Sequence, residues 1–285
     1  MYKIFAIFII ILFFANNSFA QQSLSSDEFI EQLSKSEVKK GQLMVFYVEQ
    51  NTFALKTDQQ KIIWIDPYIS RKGANPSMFI HKEERVDPEK VPADYVFCTH
   101  AHLDHTHLAT VEIINRVNPG AIFIGPEESI PIFNKAKIPQ ERIKVIHLDD
   151  ELSFTGFNVR ALYAEPTDRE RTTHLGYIFK VGEIKVYDSG DTKVGLDKYI
   201  DKMQGIVQER PDIALICINK GYDNLGPEDA AKLASLTKCK LFIPTHFNCF
   251  VNNSIDPKSV YPFLPKDSEM KYEIMECNSY LTFNK

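Results

Sequence analysis

The run Thr99-His100-Ala101-His102-Leu103-Asp104-His105 concentrates chemistry. Four metal-competent side chains lie within six residues, and four of the chain's 8 histidines fall between His100 and His107. On a helix, His100 and His102 would point about 200° apart. In an extended segment, positions 100, 102 and 104 share one side. The run is therefore expected to be a loop leaving a strand. It lacks the His-Glu-x-x-His pattern of helical zinc proteases. No Cys-x-x-Cys pair offers a zinc finger. Imidazole nitrogens combined with a carboxylate suit zinc, manganese or iron. A solvated, merely histidine-rich loop is the alternative, and His107 falls outside the pattern as a helix cap or hydrogen-bonding partner. One loop cannot complete two metal shells. His174, Asp191, His246 and Asp66 stand at other strand ends, where a rigid sheet can hold catalytic loops, although each alone could be structural.

The elements that must carry these residues follow from periodicity and punctuation. A helix is expected over 25–40, with Ser25 and Glu28 as a capping box and Gly41 as its end. Strands are expected at Leu43–Glu49, Thr52–Lys56 and Lys61–Asp66, then a long loop over 70–92. Tyr95–Thr99 reads as a buried strand, 108–117 as a helix, Ala121–Gly125 as a strand and 127–137 as a helix. Further strands are expected at Lys144–His147, Phe157–Ala164, Leu175–Val181, Ile184–Asp188, Ile213–Ile218 and Lys240–Pro244. Helices are expected near 196–208, from Gly226-Pro227 onward and near 257–264. Strands near 271–276 and 279–283 finish the chain. Strands mixed with helices in two similar halves suggest two sheets with helices outside.

Composition sets the class. The chain has 285 residues, 44% hydrophobic and 25% charged, which excludes a disordered or collagen-like chain. A formal net charge of −5 makes a nucleic-acid-coating surface unexpected. The 5 cysteines are too few for a disulfide-built scaffold. Cys98 and Cys217 read as buried apolar residues and Cys249 as a loop thiol, while a disulfide stays open. Lys3, the apolar run Ile4–Ala15 and Ser18-Phe19-Ala20 read as a signal peptide over residues 1–20, cleaved before Gln21 for export to the periplasm or beyond. No later segment is apolar and long enough to span a bilayer. Lys193, Arg169 and Arg171 read as solvated charges. No Gly-x-Ser-x-Gly elbow, phosphate loop or dinucleotide fingerprint offers rival chemistry.

The order His-x-His-x-Asp-His, His174, Gly190-Asp191-Thr192 and Pro244-Thr245-His246 resembles the metallo-β-lactamase superfamily over residues 41–285, after an N-terminal helical segment at 21–40. Ile65-Asp66-Pro67-Tyr68, Ser189-Gly190-Asp191-Thr192 and Gly226-Pro227-Glu228-Asp229-Ala230-Ala231 look most like its L-ascorbate-6-phosphate lactonase branch. The resemblance implies an α+β, four-layer αβ/βα sandwich of two mixed sheets with helices outside. It implies two divalent metal ions: zinc first, with manganese or iron as alternatives. His100, His102 and His174 would hold one, and Asp104, His105 and His246 the other. Asp191 would bridge them, and Asp66 would support the metal loop from behind. Asp104 and Asp191 would be catalytic, water activated between the metals attacking a small-molecule lactone, ester or phosphodiester. A di-iron oxidoreductase of the same fold and a catalytically silent metal-binding module are the alternatives.

Overall fold

A computed structural model describes residues 23–167 and 172–285. The signal-peptide reading, Arg169 and Arg171 lie outside the described residues. In chain order the elements are α1 (Ser26–Lys35), β1 (Gln42–Tyr47), β2 (Phe53–Lys56), β3 (Ile62–Ile65), β4 (Tyr95–Phe97), α2 (Leu108–Val117), β5 (Ile122–Gly125), α3 (Ile130–Lys135) and β6 (Ile143–Val145). The second half comprises β7 (Glu151–Phe154), β8 (Phe157–Tyr163), β9 (Leu175–Val181), β10 (Ile184–Asp188), α4 (Gln204–Glu209), β11 (Ile213–Cys217), α5 (Pro227–Thr237), β12 (Leu241–Thr245), β13 (Lys271–Tyr272) and β14 (Ser279–Asn284).

The strands form two mixed seven-stranded sheets, ordered β14-β1-β2-β3-β4-β5-β6 and β13-β12-β11-β10-β9-β8-β7. The two share a plan. β14 through β3 run antiparallel and β3 through β6 parallel. Likewise β7 through β10 are antiparallel and β10 through β13 parallel.

Alternation within the strands explains the layering, because successive side chains point to opposite faces. In β1, Leu43, Val45 and Tyr47 enter the core between the sheets. Met44 and Phe46 of β1, with Val48 just beyond it, face outward, where Phe29 and Leu33 of α1, Val111 and Ile114 of α2 and Phe133 of α3 cover them. On the far side, Ala230, Leu233 and Ala234 of α5 and Ile206 of α4 pack onto the second sheet. Both faces of each sheet are thus covered, which is why so many strands read as continuous apolar runs. Phe97 sits at the centre, its ring 5.1 Å from Phe179 and 5.6 Å from Tyr177 across the sheets.

Several boundaries differ from the sequence reading. The Ser25–Glu28 capping box is present, but the first helix stops at Lys35, with Ser36 extended at ψ 132. Val38 is then drawn into the outer core, and Gly41, at φ 80, turns the chain into β1 instead of ending the helix. The 196–208 helix breaks into two 3₁₀ turns ahead of α4, since Tyr199 has the non-helical pair φ −139, ψ 13. The 257–264 segment is a 3₁₀ helix containing Pro262, which has no N–H to give. The strand expected over 271–276 pairs only at Lys271–Tyr272. The sequence reading missed β7, a short edge strand of alternating exposure. All five cysteines are buried and free, so the open disulfide question resolves to none.

Removing the Phe97 ring empties the junction of both sheets. Phe97→Ala is expected to destabilise the protein by about 3–5 kcal/mol, read as a lower denaturation midpoint with unchanged slope.

Candidate metal centre

The C-terminal ends of β3, β4, β10 and β12 and the start of β9 meet at one edge of the sandwich. Cys98 still pairs its N–H with Ile124, and the chain then leaves the sheet as the Thr99–His107 loop. Asp66 follows β3 at φ 44 and His246 follows β12 at φ 64. Gln50, in the β1–β2 turn, has φ 57. Gly190 meets a different demand. A Cβ there would lie 2.8 Å from Thr99 Cβ and 3.0 Å from the Leu175 carbonyl, so only glycine lets Asp191 come this close to the loop.

The six residues named for the two metals, and Asp191 between them, converge. His100, His102 and His174 bring ligand atoms within 4.8 Å of one another, as do Asp104, His105 and His246, and His100, His105 and Asp191. His100 Nε2 faces His102 Nδ1 at 2.9 Å. His105 Nε2 faces His246 Nε2 at 3.3 Å. Asp191 reaches both groups: Oδ2 lies 3.9 Å from His100 Nε2, and Oδ1 lies 3.1 Å from His246 Nε2 and 3.4 Å from His105 Nε2. Asp191 Oδ1 is buried and accepts no hydrogen bond. A buried carboxylate oxygen among imidazole nitrogens that face one another fits a bound divalent cation.

Groups behind the ligands fix their orientation. Asp66 Oδ1 accepts from the Thr99 N–H at 2.7 Å, and Oδ2 accepts from the Thr99 hydroxyl at 2.7 Å. Asp66 Oδ2 also lies 2.6 Å from His105 Nδ1, which leaves Nε2 to point into the centre. Asn51 Nδ2 donates to Asp66 Oδ2 at 2.8 Å and to Asp188 Oδ1 at 3.1 Å. His174 Nδ1 donates to the Asp191 carbonyl at 3.0 Å. Burial and then the nearby Asp66 push the Asp188 carboxyl up to about 7.

The centre is electrostatically tight. Burial lowers the His105 imidazole's affinity for a proton, yet Asp191, Asp66 and Asp104 outweigh it and hold its pKa well above the ordinary value. His246 is raised in the same way by Asp191 and Asp104 against burial. Burial raises the Asp191 carboxyl, but His246 and His105 hold it well below the usual range. His100, with His105 and His174 as neighbours, is pushed down mainly by burial.

Gln50 was not singled out by sequence, for no motif surrounds it. Its Nε2 donates to Asp104 Oδ2 at 2.8 Å and lies 2.9 Å from His246 Nε2, while its carbonyl accepts the His246 N–H at 2.8 Å. His107 takes the bland role: Nδ1 meets Thr110 Oγ1 at 2.8 Å and its ring lies 4.7 Å from Tyr68. Cys249 is not a ligand of this centre; it packs with Tyr68 and Phe79. His147 is exposed and pairs with Glu127 and Asp150. Lys193 pairs with Asp223 at 3.9 Å.

The centre floors a cleft of about 640 Å³, with His102, Asp104, Asp191 and His246 at its base. Tyr68, Met78, Tyr222 and Phe250 line its walls. The Met78 wall is tied to the loop after β12 by backbone bonds from Ile80 to Cys249 and from Val251 to Met78, each 2.9 Å.

The family profile of the β-lactamase superfamily domain matches residues 44–246. With its two mixed sheets and outer helices, the chain belongs to the metallo-β-lactamase superfamily. A UPF0173 metal-dependent hydrolase of Oenococcus oeni is 27% identical over 235 residues, covering 78% of this chain and 94% of its own. One from Archaeoglobus fulgidus is 29% identical over 231 residues, covering 78% and 92%. Among solved structures, Igni18, a metallo hydrolase from Ignicoccus hospitalis, superposes with a TM-score of 0.69 at 23% identity, covering 86% of this chain and 99% of its own. A di-iron β-hydroxylase from Streptomyces venezuelae, CmlA, shares the fold at a TM-score of 0.62 and 14% identity over 87% of this chain and 55% of its own.

Asp66→Asn replaces the acceptor facing His105 Nδ1 with an amide donor. It is expected to leave the protein folded and to weaken metal binding about 10–100-fold, measured by competition against a chelator of known affinity.

Proposed function

We propose that the protein is a dinuclear metal-dependent hydrolase acting on an uncharged lactone or ester. The observation that carries this reading is the position of Asp191, whose two carboxylate oxygens reach both ligand groups at the floor of the cleft. Relatives carrying the name metal-dependent hydrolase, at 27–29% identity, support the hydrolytic class. Bound divalent cations would activate water near neutral pH and polarise the scissile carbonyl.

The chain's own groups do the rest. His100, His102 and His174 would hold one cation, and the nitrogen-rich donor set favours zinc. Asp104, His105 and His246 would hold the other, with Asp191 between the two groups. Asp66 fixes the His105 ring, and Asp191's carbonyl fixes the His174 ring. Asp104 also faces the cleft, where it can pass a proton toward the leaving oxygen.

The walls support an uncharged substrate. Among the described residues lining the cleft there is no lysine or arginine. The nearby Arg71 is turned away: its guanidinium stacks 4.0 Å over the Phe79 ring and pairs with buried Glu49. The apolar side chains of Tyr68, Met78 and Phe250 match an apolar lactone or ester. Export through residues 1–20 belongs to the same reading, and N-terminal sequencing of the exported chain, starting at Gln21, checks it.

Zinc-loaded protein is expected to hydrolyse a neutral aryl lactone such as dihydrocoumarin at least tenfold faster, in kcat/KM, than bis(p-nitrophenyl) phosphate. Activity should vanish on dialysis against a chelator and return with zinc. His246→Ala should lower kcat by at least about 100-fold. Full activity in the metal-free protein, or iron-dependent oxidation of the panel without hydrolysis, defeats the proposal.

A further inference from the structure

Beyond the catalytic centre, three distant segments bring a second mixed donor set together. Glu49 stands just beyond β1, His81 lies in the long 70–92 loop, and Cys277 precedes β14. A carboxylate oxygen, an imidazole nitrogen and the thiol sulfur all lie within 4.8 Å of one another. We propose that Glu49, His81 and Cys277 form a third cation site, selective for zinc, with water completing the tetrahedron.

The geometry suits that ion. His81 Nε2 and Cys277 Sγ are 3.8 Å apart. Tetrahedral zinc, from its usual bond lengths to nitrogen and sulfur, sets that edge at about 3.6 Å. A cysteine, a histidine and a carboxylate together select zinc over magnesium or calcium, which take oxygen alone.

An independent observation points to an occupant. Glu49 is 1% exposed, and its Oε2 is buried without a hydrogen-bond partner. Arg71 takes only the other oxygen, Oε1. A buried carboxylate oxygen left open beside a thiol and an imidazole is a ligand in waiting. Asn248 Nδ2 donates to Cys277 Sγ at 3.0 Å, the orienting contact that a metal-bound sulfur takes from its surroundings.

The protonation states agree. Burial, with Arg85 and Arg71 nearby, keeps His81 below its ordinary value, so its ring is neutral and able to ligate. Burial pushes the Cys277 thiol up to about 11. The sulfur therefore loses its proton only as the cation arrives: the S–H bond breaks, the S–Zn bond forms, and one proton leaves to solvent. The resulting thiolate and the Glu49 carboxylate offset the cation beside the two guanidiniums. His81 lines a surface groove of about 720 Å³, which gives the ion a way in.

Such an ion would clamp the loop that carries the Met78 wall to the β1–β2 turn and the C-terminal strand. The catalytic ligands include no thiol, so cobalt(II) separates the sites spectroscopically. Cobalt-loaded protein should show the near-ultraviolet thiolate-to-cobalt absorption, and His100→Ala/His246→Ala should keep it. Cys277→Ser should abolish it and lower bound metal by about one equivalent. His81→Ala, a half-buried change that tests the site should Cys277→Ser fold poorly, should weaken the band and lose the same equivalent. No band in the wild type, a band that survives both changes, or one that is lost instead with Cys249→Ser overturns the site. Loss of hydrolysis in the histidine pair with the band intact tests the catalytic reading separately.

Discussion

The buried Asp66 carboxylate is the interaction on which this centre depends. It gathers the Thr99 N–H, the Thr99 hydroxyl, His105 Nδ1 and Asn51 Nδ2 at 2.6–2.8 Å. Hydrogen bonds to a charged partner are worth about 1.5–3 kcal/mol each, and an unpartnered buried carboxylate would cost far more. These four donors are therefore not decoration on a finished fold. They set where the chain leaves β4, and with it where His100, His102, Asp104 and His105 point. Asp66 can play this part only because its own N–H is fixed to the Phe97 carbonyl, at 2.8 Å, on the neighbouring parallel strand.

The shared plan of the two sheets extends that logic. In each, an antiparallel half meets a parallel half, and parallel strands deliver their C-terminal ends to the same edge. Ligands in open α/β sheets gather at such ends, because loops there are anchored on both sides by buried strands. Here β3 and β4 supply Asp66 and the histidine run, while β10 and β12 supply Asp191 and His246. The core between the sheets, centred on Phe97 and Tyr177, sets the distance between the two contributions. Tyr177 also donates to the Cys98 carbonyl at 2.8 Å, directly tying one sheet to the start of the other's metal loop.

What the sequence disclosed and withheld divides along physical lines. The His100–His105 run was legible because its donors are close in sequence, so spacing alone exposes them. His174, Asp191 and His246 became legible only as an ordered set. Gln50, Glu49, His81 and Cys277 were not, since nothing in sequence tells which turn a buried side chain faces when its partners lie in distant segments of the chain. Buried strands were readable from apolar runs, but β7 was not, because an edge strand alternates exposure and carries a weak pattern. The helices expected over 196–208 and 257–264 tightened to 3₁₀ turns where Tyr199 and Pro262 break α geometry. The left-handed backbone at Gln50, Asp66 and His246 also leaves no trace in residue type, for none is glycine.

The same crowding that assembles the centre also decides what it must exchange to work. Asp191 and Asp104 hold His105 and His246 toward the protonated state. Those carboxylates and those ring nitrogens are the donors a cation would need. Proton and metal would thus compete for one set of atoms. His100 is pushed the other way, mainly by burial and then by its imidazole neighbours. In the Asp104, His105 and His246 group the Gln50 amide also lies against the donor atoms, 2.8 Å from Asp104 Oδ2 and 2.9 Å from His246 Nε2. Asp191 lies against both groups, Oδ2 at 3.9 Å from His100 Nε2 and Oδ1 at 3.1 Å from His246 Nε2.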